Sequence, residues 1–334
     1  MQQGPLRMRV ALPLGVDEAA MAHRVAGLPV VTLPVITLAG QTMGTTWRVL
    51  VAAPLAASGP LLALVQGRLA QVVASMSHWQ ADSELGRFNR AQAGTWQVLS
   101  RDFADVMQAA FAIAGASGGA FSPAMGHLVN RWGHGPTGPV EKAPDAAEVA
   151  ALLPFCDWRA LAWDAAARRL QQAGGVALDL SGIAKGFGVD AVSDALTAQG
   201  FAHHLVEVGG EWRGRGVAPD GRPWWVDLEN PPGADLPPLR IGMHGLAVAT
   251  SGIWVRGWHT LDPRDGMPAE HVAGCSVLHE SAMWADGWAS ALSVLGPEQG
   301  MALAQAQGLA VRWIIPSDQG FAEKLSPALL DMLG

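Results

Sequence analysis

The stretch HHLVEVGGEWRGRGVAPDGRPWWVDLE, residues 203–229, decides the fold. Its apolar and β-branched residues fall into short runs, HHLVEVGG at 203–210 and PWWVDLE at 223–229, with no helical spacing between them. GLAVATS (245–251) and VAGCSVLHE (272–280) continue the series, and VALDL (176–180) precedes it. Upstream, ITLAGQTMGTTWRVLVAA (36–53) alternates like a pair of strands, whereas MSHWQADSELGRFNR (76–90) reads as polar and turn-like and residues 136–158 as a surface excursion. Helical spacing marks 60–77, 102–115, 184–199, 281–295 and 297–307. Strands that follow one another without an intervening helix favour an α+β fold with antiparallel sheet over a doubly wound parallel one. No internal repeat or low-complexity segment interrupts this pattern.

Composition narrows the function classes. The 334 residues suffice for one large domain or two closely joined ones, and 50% hydrophobic with 15% charged residues describes an ordered globular chain. The net charge of −7 is scattered and leaves no basic face, so nucleic acid is not an expected partner. No uninterrupted apolar run reaches the roughly 18 residues of a transmembrane helix. Residues 1–35 read as a loosely patterned leader and 36–330 as the folded unit. The leader lacks a secretory apolar region and an early cysteine for a lipid, so the chain as written is expected in the cytoplasm; a start further upstream would allow export or membrane anchoring. Cys156 and Cys275 are far apart in sequence and read as small buried hydrophobes.

Three segments carry candidate chemistry. In DLSGIAKGFGVD (179–190) a strand to Leu180 gives way to a turn at Ser181 and Gly182 and then a helix, with Lys185 in its first turn. A cation there opposes the helix dipole unless an anion sits nearby. Neither nucleotide-binding glycine pattern is met, so a phosphate-binding turn and a glycine-rich connector with a solvated lysine stand level on local grounds. In SAMWADGWASALSVLG (281–296), Ser281 is placed to cap a helix on which Asp286 and Ser290 share a face, a pair suited to a hard cation or simply to solvent. In WHTLDPRDGMP (258–268), His259 sits on a strand entering a strong turn, as an acid or base or as a loop support. GASGG (115–119) fits an esterase pattern but follows a helix, so Ser117 reads as a helix end.

Taken in order with MGTTW (43–47), MSHWQADSELGRFN (76–89), GAFSPAMGHLVNRWG (119–133), LVEVGGEWRGRG (205–216) and ATSG (249–252), these segments resemble the ApbE family of FAD:protein FMN transferases from about residue 38 to about residue 315. The resemblance implies an ApbE-like, T-fold-related α+β architecture of largely antiparallel sheets with packed helices. It implies an Mg²⁺-dependent enzyme, Mn²⁺ being acceptable to the same oxygen ligands, that moves the FMN moiety of FAD to a Thr or Ser hydroxyl of an acceptor flavoprotein and releases AMP. By the family's pattern, Met43, Trp79, Ala120, Phe121, Ser122, Asp179, Lys185 and His259 correspond to flavin-nucleotide contacts, and the Gly182 carbonyl, Asp286 and Ser290 to the metal site. His259, Lys185 and Asp286 are the implied catalytic set. Ser122 stands where the family commonly has Asp, Ser290 where Thr is usual, and Glu211 where Asp often follows paired glycines; the first change bears on FAD affinity. An FAD pyrophosphatase and a non-catalytic FAD-binding protein are the rival readings.

Overall fold

The computed structural model describes residues 7–13, 33–318 and 320–333, so most of the leader, 1–6 and 14–32, lies outside the described residues. Within the leader, Arg9–Ala11 forms a strand, β1. The expected hairpin is present as β2 (Val35–Thr42) and β3 (Thr45–Ala52), and Met43 and Gly44 both take positive φ in the tight turn that joins them. Three short strands, β4 (Trp96–Val98), β5 (Ala162–Asp164) and β6 (Arg169–Gln171), make a small antiparallel sheet. Then come β7 (His204–Val208), β8 (Glu211–Arg215), β9 (Trp224–Leu228), β10 (Leu239–Met243), β11 (Leu246–Gly252), β12 (Gly274–His279), β13 (Ala310–Ser317) and β14 (Gly320–Leu325). The main sheet has eight strands in the order β14-β13-β12-β11-β8-β7-β3-β2, each neighbouring pair antiparallel. A three-stranded sheet, β1-β10-β9, has one parallel pair, β1 with β10.

The helices are α1 (Ser58–Met76), α2 (Glu84–Asn89), α3 (Arg101–Ala116), α4 (Gly126–Arg131), α5 (Ala146–Leu152), α6 (Ala184–Ala198), α7 (Ile253–Arg256), α8 (Ala282–Ala306) and α9 (Pro327–Leu333). None is long and apolar enough to cross a membrane among the described residues. Strand alternation assigns the two faces of the main sheet. Val206 and Val208 of β7, with Trp47 and Val49 of β3, pack against Leu61, Val65 and Leu69 of α1 and Val189, Val192 and Leu196 of α6. Leu205, the residue before Val206, faces the other way and joins Trp224, Val226, Leu239 and Ile241 of the small sheet. The fold is therefore α+β, with helices on one face of an antiparallel sheet and a second sheet on part of the other.

Several local expectations change. VALDL forms no ladder: Val176–Leu180 is a buried segment outside any strand. Backbone groups here bond to residues distant in sequence rather than to a neighbouring strand: the Leu178 N–H donates to Asn89 Oδ1 at 2.7 Å, the Asp179 N–H to the Pro123 carbonyl at 2.8 Å, and the Ala177 carbonyl accepts from the Gly126 N–H at 2.9 Å. His259 is not on a strand either; only the single bridge Leu261↔Pro268 links the two sides of its turn. Polar residues 84–89 are helical because the Ser83 hydroxyl accepts from the Gly86 N–H at the helix start. The helices expected at 281–295 and 297–307 are one element kinked at Gly296, where φ is 63° and Pro297 follows. Ser117 caps the end of α3, as the esterase decoy required.

The two helices that frame the site are locked by Asp190 of α6. Its Oδ1 accepts from the Ala282 N–H at 2.9 Å and its Oδ2 from the Met283 N–H at 3.0 Å and the Ser281 hydroxyl at 2.6 Å, while Arg213 of β8 pairs with it at 2.7 Å. A buried carboxylate at the positive end of α8 thus satisfies donors that a helix start leaves open. The approach is close enough that a Cβ on Gly186 would lie 2.1 Å from the Ala282 carbonyl oxygen. Replacing Asp190 with Ala leaves the Arg213 charge and two helix amides without this partner, and is expected to lower unfolding free energy by about 3–5 kcal/mol. Urea denaturation at an unchanged m-value checks this; a loss within experimental error would show that α8 is held by packing alone.

Candidate active site

The turn at 181–183 and the first turn of α6 lie against α8, and together they form one wall of a cleft. The cleft is lined by Ala120, Phe121, Ser122, Asp179, Gly182, Lys185, His259, Asp286 and Ser290, so nine of the residues singled out in the sequence converge. Met43 and Trp79 line neither this cleft nor the adjoining one. Met43 packs near Gly188 of α6, and Trp79 is 61% exposed with its ring 5.6 Å from that of His78.

Lys185 answers the dipole misfit that its position raised. Its ammonium pairs with the carboxylate of Glu211, at the start of β8, and lies 3.9 Å from Asp286 Oδ1. The anions beside the helix start are therefore buried carboxylates. The β7–β8 turn permits this because Gly209, at φ 63°, passes so close that a Cβ would sit 2.8 Å from Thr45 and 3.3 Å from the Lys185 side chain. Asp286 is 3% exposed, and its Oδ2 accepts from the Gly186 N–H at 2.9 Å. Burial pushes its carboxyl above the usual carboxylate range, against the pull of Lys185. Glu211 is pushed up to about 8, first by burial and further by Asp286, with Lys185 opposing, and its Oε2 has no hydrogen-bond partner. Sequence reading noted Glu211 only as a departure from a family pattern; an acid directly after a Gly-Gly turn between two strands was the signal for a site role.

The Ser290 hydroxyl donates to the Gly182 carbonyl at 3.2 Å, and a Cβ on Gly182 would meet Ser290 Oγ at 2.6 Å. A carbonyl, a hydroxyl and the Asp286 carboxylate thus offer only oxygen, the donor set of a hard cation. Among the described residues no group of three His, Cys, Asp or Glu side chains is placed to hold a metal. A cation here would take its remaining ligands from substrate and water.

His259 Nδ1 lies 2.9 Å from the Gly257 carbonyl, which only accepts, so the proton is assigned to Nδ1 and Nε2 is the basic nitrogen of the neutral ring. Ser122 is tied into the wall: its hydroxyl donates to the Cys156 carbonyl at 2.9 Å and accepts from the Ala124 N–H at 3.2 Å. The two cysteines are buried, and burial pushes the Cys156 thiol up to about 11 and Cys275 further, which makes both poor nucleophiles. A second cleft adjoins the first at Lys185, Thr250 and His259. Thr250, which the sequence marked only as part of ATSG, bonds Ser276 across the β11–β12 pair at 2.8 Å.

Asp179 closes the far end. Its Oδ1 accepts from the Ser181 N–H at 2.7 Å and lies 3.4 Å from His78 Nδ1, while its Oδ2 is buried without a partner. For His78, burial alone would lower the pKa, but the hydrogen bond and charge of Asp179 outweigh it and the pKa is raised; Asp179 is correspondingly lowered against its own burial. A raised histidine contributes stability that is full below its unfolded value of about 6.5 and is lost as pH rises through the folded value. His78→Gln is therefore expected to lower the melting temperature more at about pH 5.5 than at about pH 8.5. Equal losses at both pH values would mean that the imidazole acts only by packing.

Comparison with known proteins identifies the family. The chain is 35% identical over 335 residues to the FAD:protein FMN transferase of Haemophilus influenzae, covering 94% of this chain and 96% of that one. It is 34% identical over 312 residues to the FAD:protein FMN transferase of Vibrio cholerae, covering 89% and 92%. Its fold superposes on the flavin transferase ApbE from Vibrio cholerae with a TM-score of 0.83 at 35% identity, covering 89% of this chain and 99% of that one. The flavinyl transferase ApbE of Pseudomonas stutzeri, in its apo form, also gives 0.83, at 33% identity and with 90% and 97% covered. The sequence model of the ApbE family matches residues 43–313, and the chain belongs to that family.

Proposed function

We propose that this protein transfers the FMN moiety of FAD to a Thr or Ser hydroxyl of an acceptor flavoprotein, releasing AMP, with residues 36–330 as the catalytic unit. The observation that carries the reading is the convergence of Lys185, Asp286, the Gly182–Ser290 pair and His259 on one cleft, in a chain whose relatives are named for this reaction. In the step, the acceptor oxygen bonds to the phosphorus of the FMN half, the bond from that phosphorus to the bridging oxygen breaks, and AMP leaves with the electron pair. The hydroxyl proton passes to His259 Nε2, which the Gly257 carbonyl keeps oriented as a base.

Asp286, Ser290 and the Gly182 carbonyl would hold Mg²⁺, or Mn²⁺ equally, which when bound supplies charge neutralisation for the phosphoryl oxygens. The fit rests on charge as well as on donor type. Two buried carboxyl groups, Glu211 and Asp286, gather about one ammonium, Lys185, and burial raises both above their ordinary range; a bound cation would favour their ionised forms. Lys185 would serve the pyrophosphate as a second positive group. Ala120, Phe121, Ser122 and Asp179 would line the nucleotide, with the Asp179 Oδ2 as an acceptor for it. Met43 and Trp79 would contribute only through a rearrangement on binding, since neither lines the cleft.

The test is mass spectrometry of a Thr-containing acceptor peptide after incubation with FAD, Mg²⁺ and the protein. One added FMN per peptide and one AMP released are expected. Asp286→Ala should abolish the addition, and His259→Ala should slow it by about 10²–10⁴. AMP release without a modified peptide would replace the transferase by an FAD pyrophosphatase, and bound FAD without either product would leave a binding protein.

A further inference from the structure

The second cleft, of about 200 Å³, runs from Lys185 and His259 past Trp212 to Val226, Asp227, Leu228 and Glu229. These last residues belong to or directly follow β9, and β9 is the edge of its sheet, paired on one side only, with β10. Among the described residues no strand or loop backbone bonds to its other side. Exposed edges in stable proteins are commonly blunted by proline, by charges projecting over the edge, or by a covering element. Here β9 itself has no proline, and Asp227 is drawn back across its own sheet to Arg240 at 2.6 and 2.8 Å. Prolines stand just outside, at Pro223 and at Pro231–Pro232, and confine any added pairing to a short window. Trp254, over Gly252 and Gly274, forms an aromatic wall and donates to Glu229 at 3.2 Å.

The geometry points to β9 as the docking edge for the acceptor: an extended segment of the acceptor protein adds to β9 as a strand and delivers its hydroxyl to the junction at Lys185, Thr250 and His259. This rests on the transferase reading, which requires a protein hydroxyl at that junction. It goes further by stating how the segment is held. Main-chain pairing gives affinity without demanding a particular side chain at every position, and alternate side chains face the enzyme. An FAD molecule in the first cleft and a strand in the second would meet only at the three shared residues.

The experiment uses the full chain with FAD, Mg²⁺ and a library of short synthetic peptides that fix one central threonine and vary its neighbours. A flavinylated member is then remade with single backbone N-methyl groups, which remove one donor each and leave every side chain in place. Strand addition predicts a period of two: methylation at alternate residues raises KM by about tenfold per blocked bond, with kcat little changed, while the intervening positions are insensitive. Hydrogen exchange of the protein with the same peptide should slow amides in 224–229.

Transfer that is indifferent to N-methylation, without protection at 224–229, would overturn the docking edge and leave the transferase reading intact. A library in which no member gains FMN would overturn both. Protection at 224–229 that rises with protein concentration in the absence of peptide would assign the edge to a second copy of this chain and overturn the proposal.

Discussion

A carboxylate seated at the start of a neighbouring helix fixes both the position and the rotation of that helix, because the amides it receives point in set directions. Asp190 does this for α8, and nearly every feature of the site inherits its geometry. With Ala282 and Met283 held, Asp286 is carried one turn further, where it meets the Gly186 amide of the same helix that supplied Asp190. One more turn brings Ser290 to the Gly182 carbonyl. Glycine at 182 and 186 is the steric condition for this approach, since a Cβ at either would lie under 3 Å from α8. The constraint is mutual: the carboxylate orders α8, and α8 in turn fixes the turn that precedes α6.

The same proximity creates the electrostatic problem that the site exploits. Two carboxylates share one ammonium in a space that excludes most water, and burial raises both acids above their ordinary range. Glu211 keeps one oxygen without a hydrogen bond. Such an arrangement is destabilising for an isolated fold but favours the arrival of positive charge. A bound cation would lower both acids and release Lys185 from part of its pairing, making the ammonium available to a phosphate. On the proposed reading, substrate and cation binding would be coupled through these three side chains, whereas Asp179 and His78 form a pair of their own.

Much of the fold was legible because its causes are local. The alternation at 203–210, 223–229, 245–251 and 272–280 produced strands, and the helical spacing at 60–77, 102–115 and 184–199 produced helices within a residue or two of the expected ends. VALDL failed because alternation reports which face is buried and says nothing about which groups satisfy the backbone; Asn89, far away in sequence, takes the place of a neighbouring strand. The pairing of Arg9–Ala11 with Leu239–Ile241 was illegible for the same reason, as three residues carry no period. Nine of the site residues gather in one cleft, but their identification as a set depended on a family resemblance. Local pattern alone left each segment open. Glu211 was noted only as a departure from a family pattern and Thr250 only within ATSG, because their contacts form between strands, and Met43 and Trp79 were expected at a cleft they do not line.

An in-line displacement at phosphorus needs the incoming and departing oxygens on opposite sides of the phosphoryl group. On the proposed reading, two clefts that meet at Lys185, Thr250 and His259 would provide that separation: one is walled by helices α6 and α8 and the turn after Phe121, the other by the β7–β8 turn and the edge of β9. On the proposed reading, FAD and the acceptor would approach through different openings, and the junction would be the only place where their reacting atoms meet. A nucleotide without an acceptor would leave the second opening to water, which is the chemical route to the hydrolytic side reaction. The balance between transfer and hydrolysis would then depend on how completely the acceptor fills that opening, a property of β9, Trp212 and Trp254 and not of the groups that hold the phosphates.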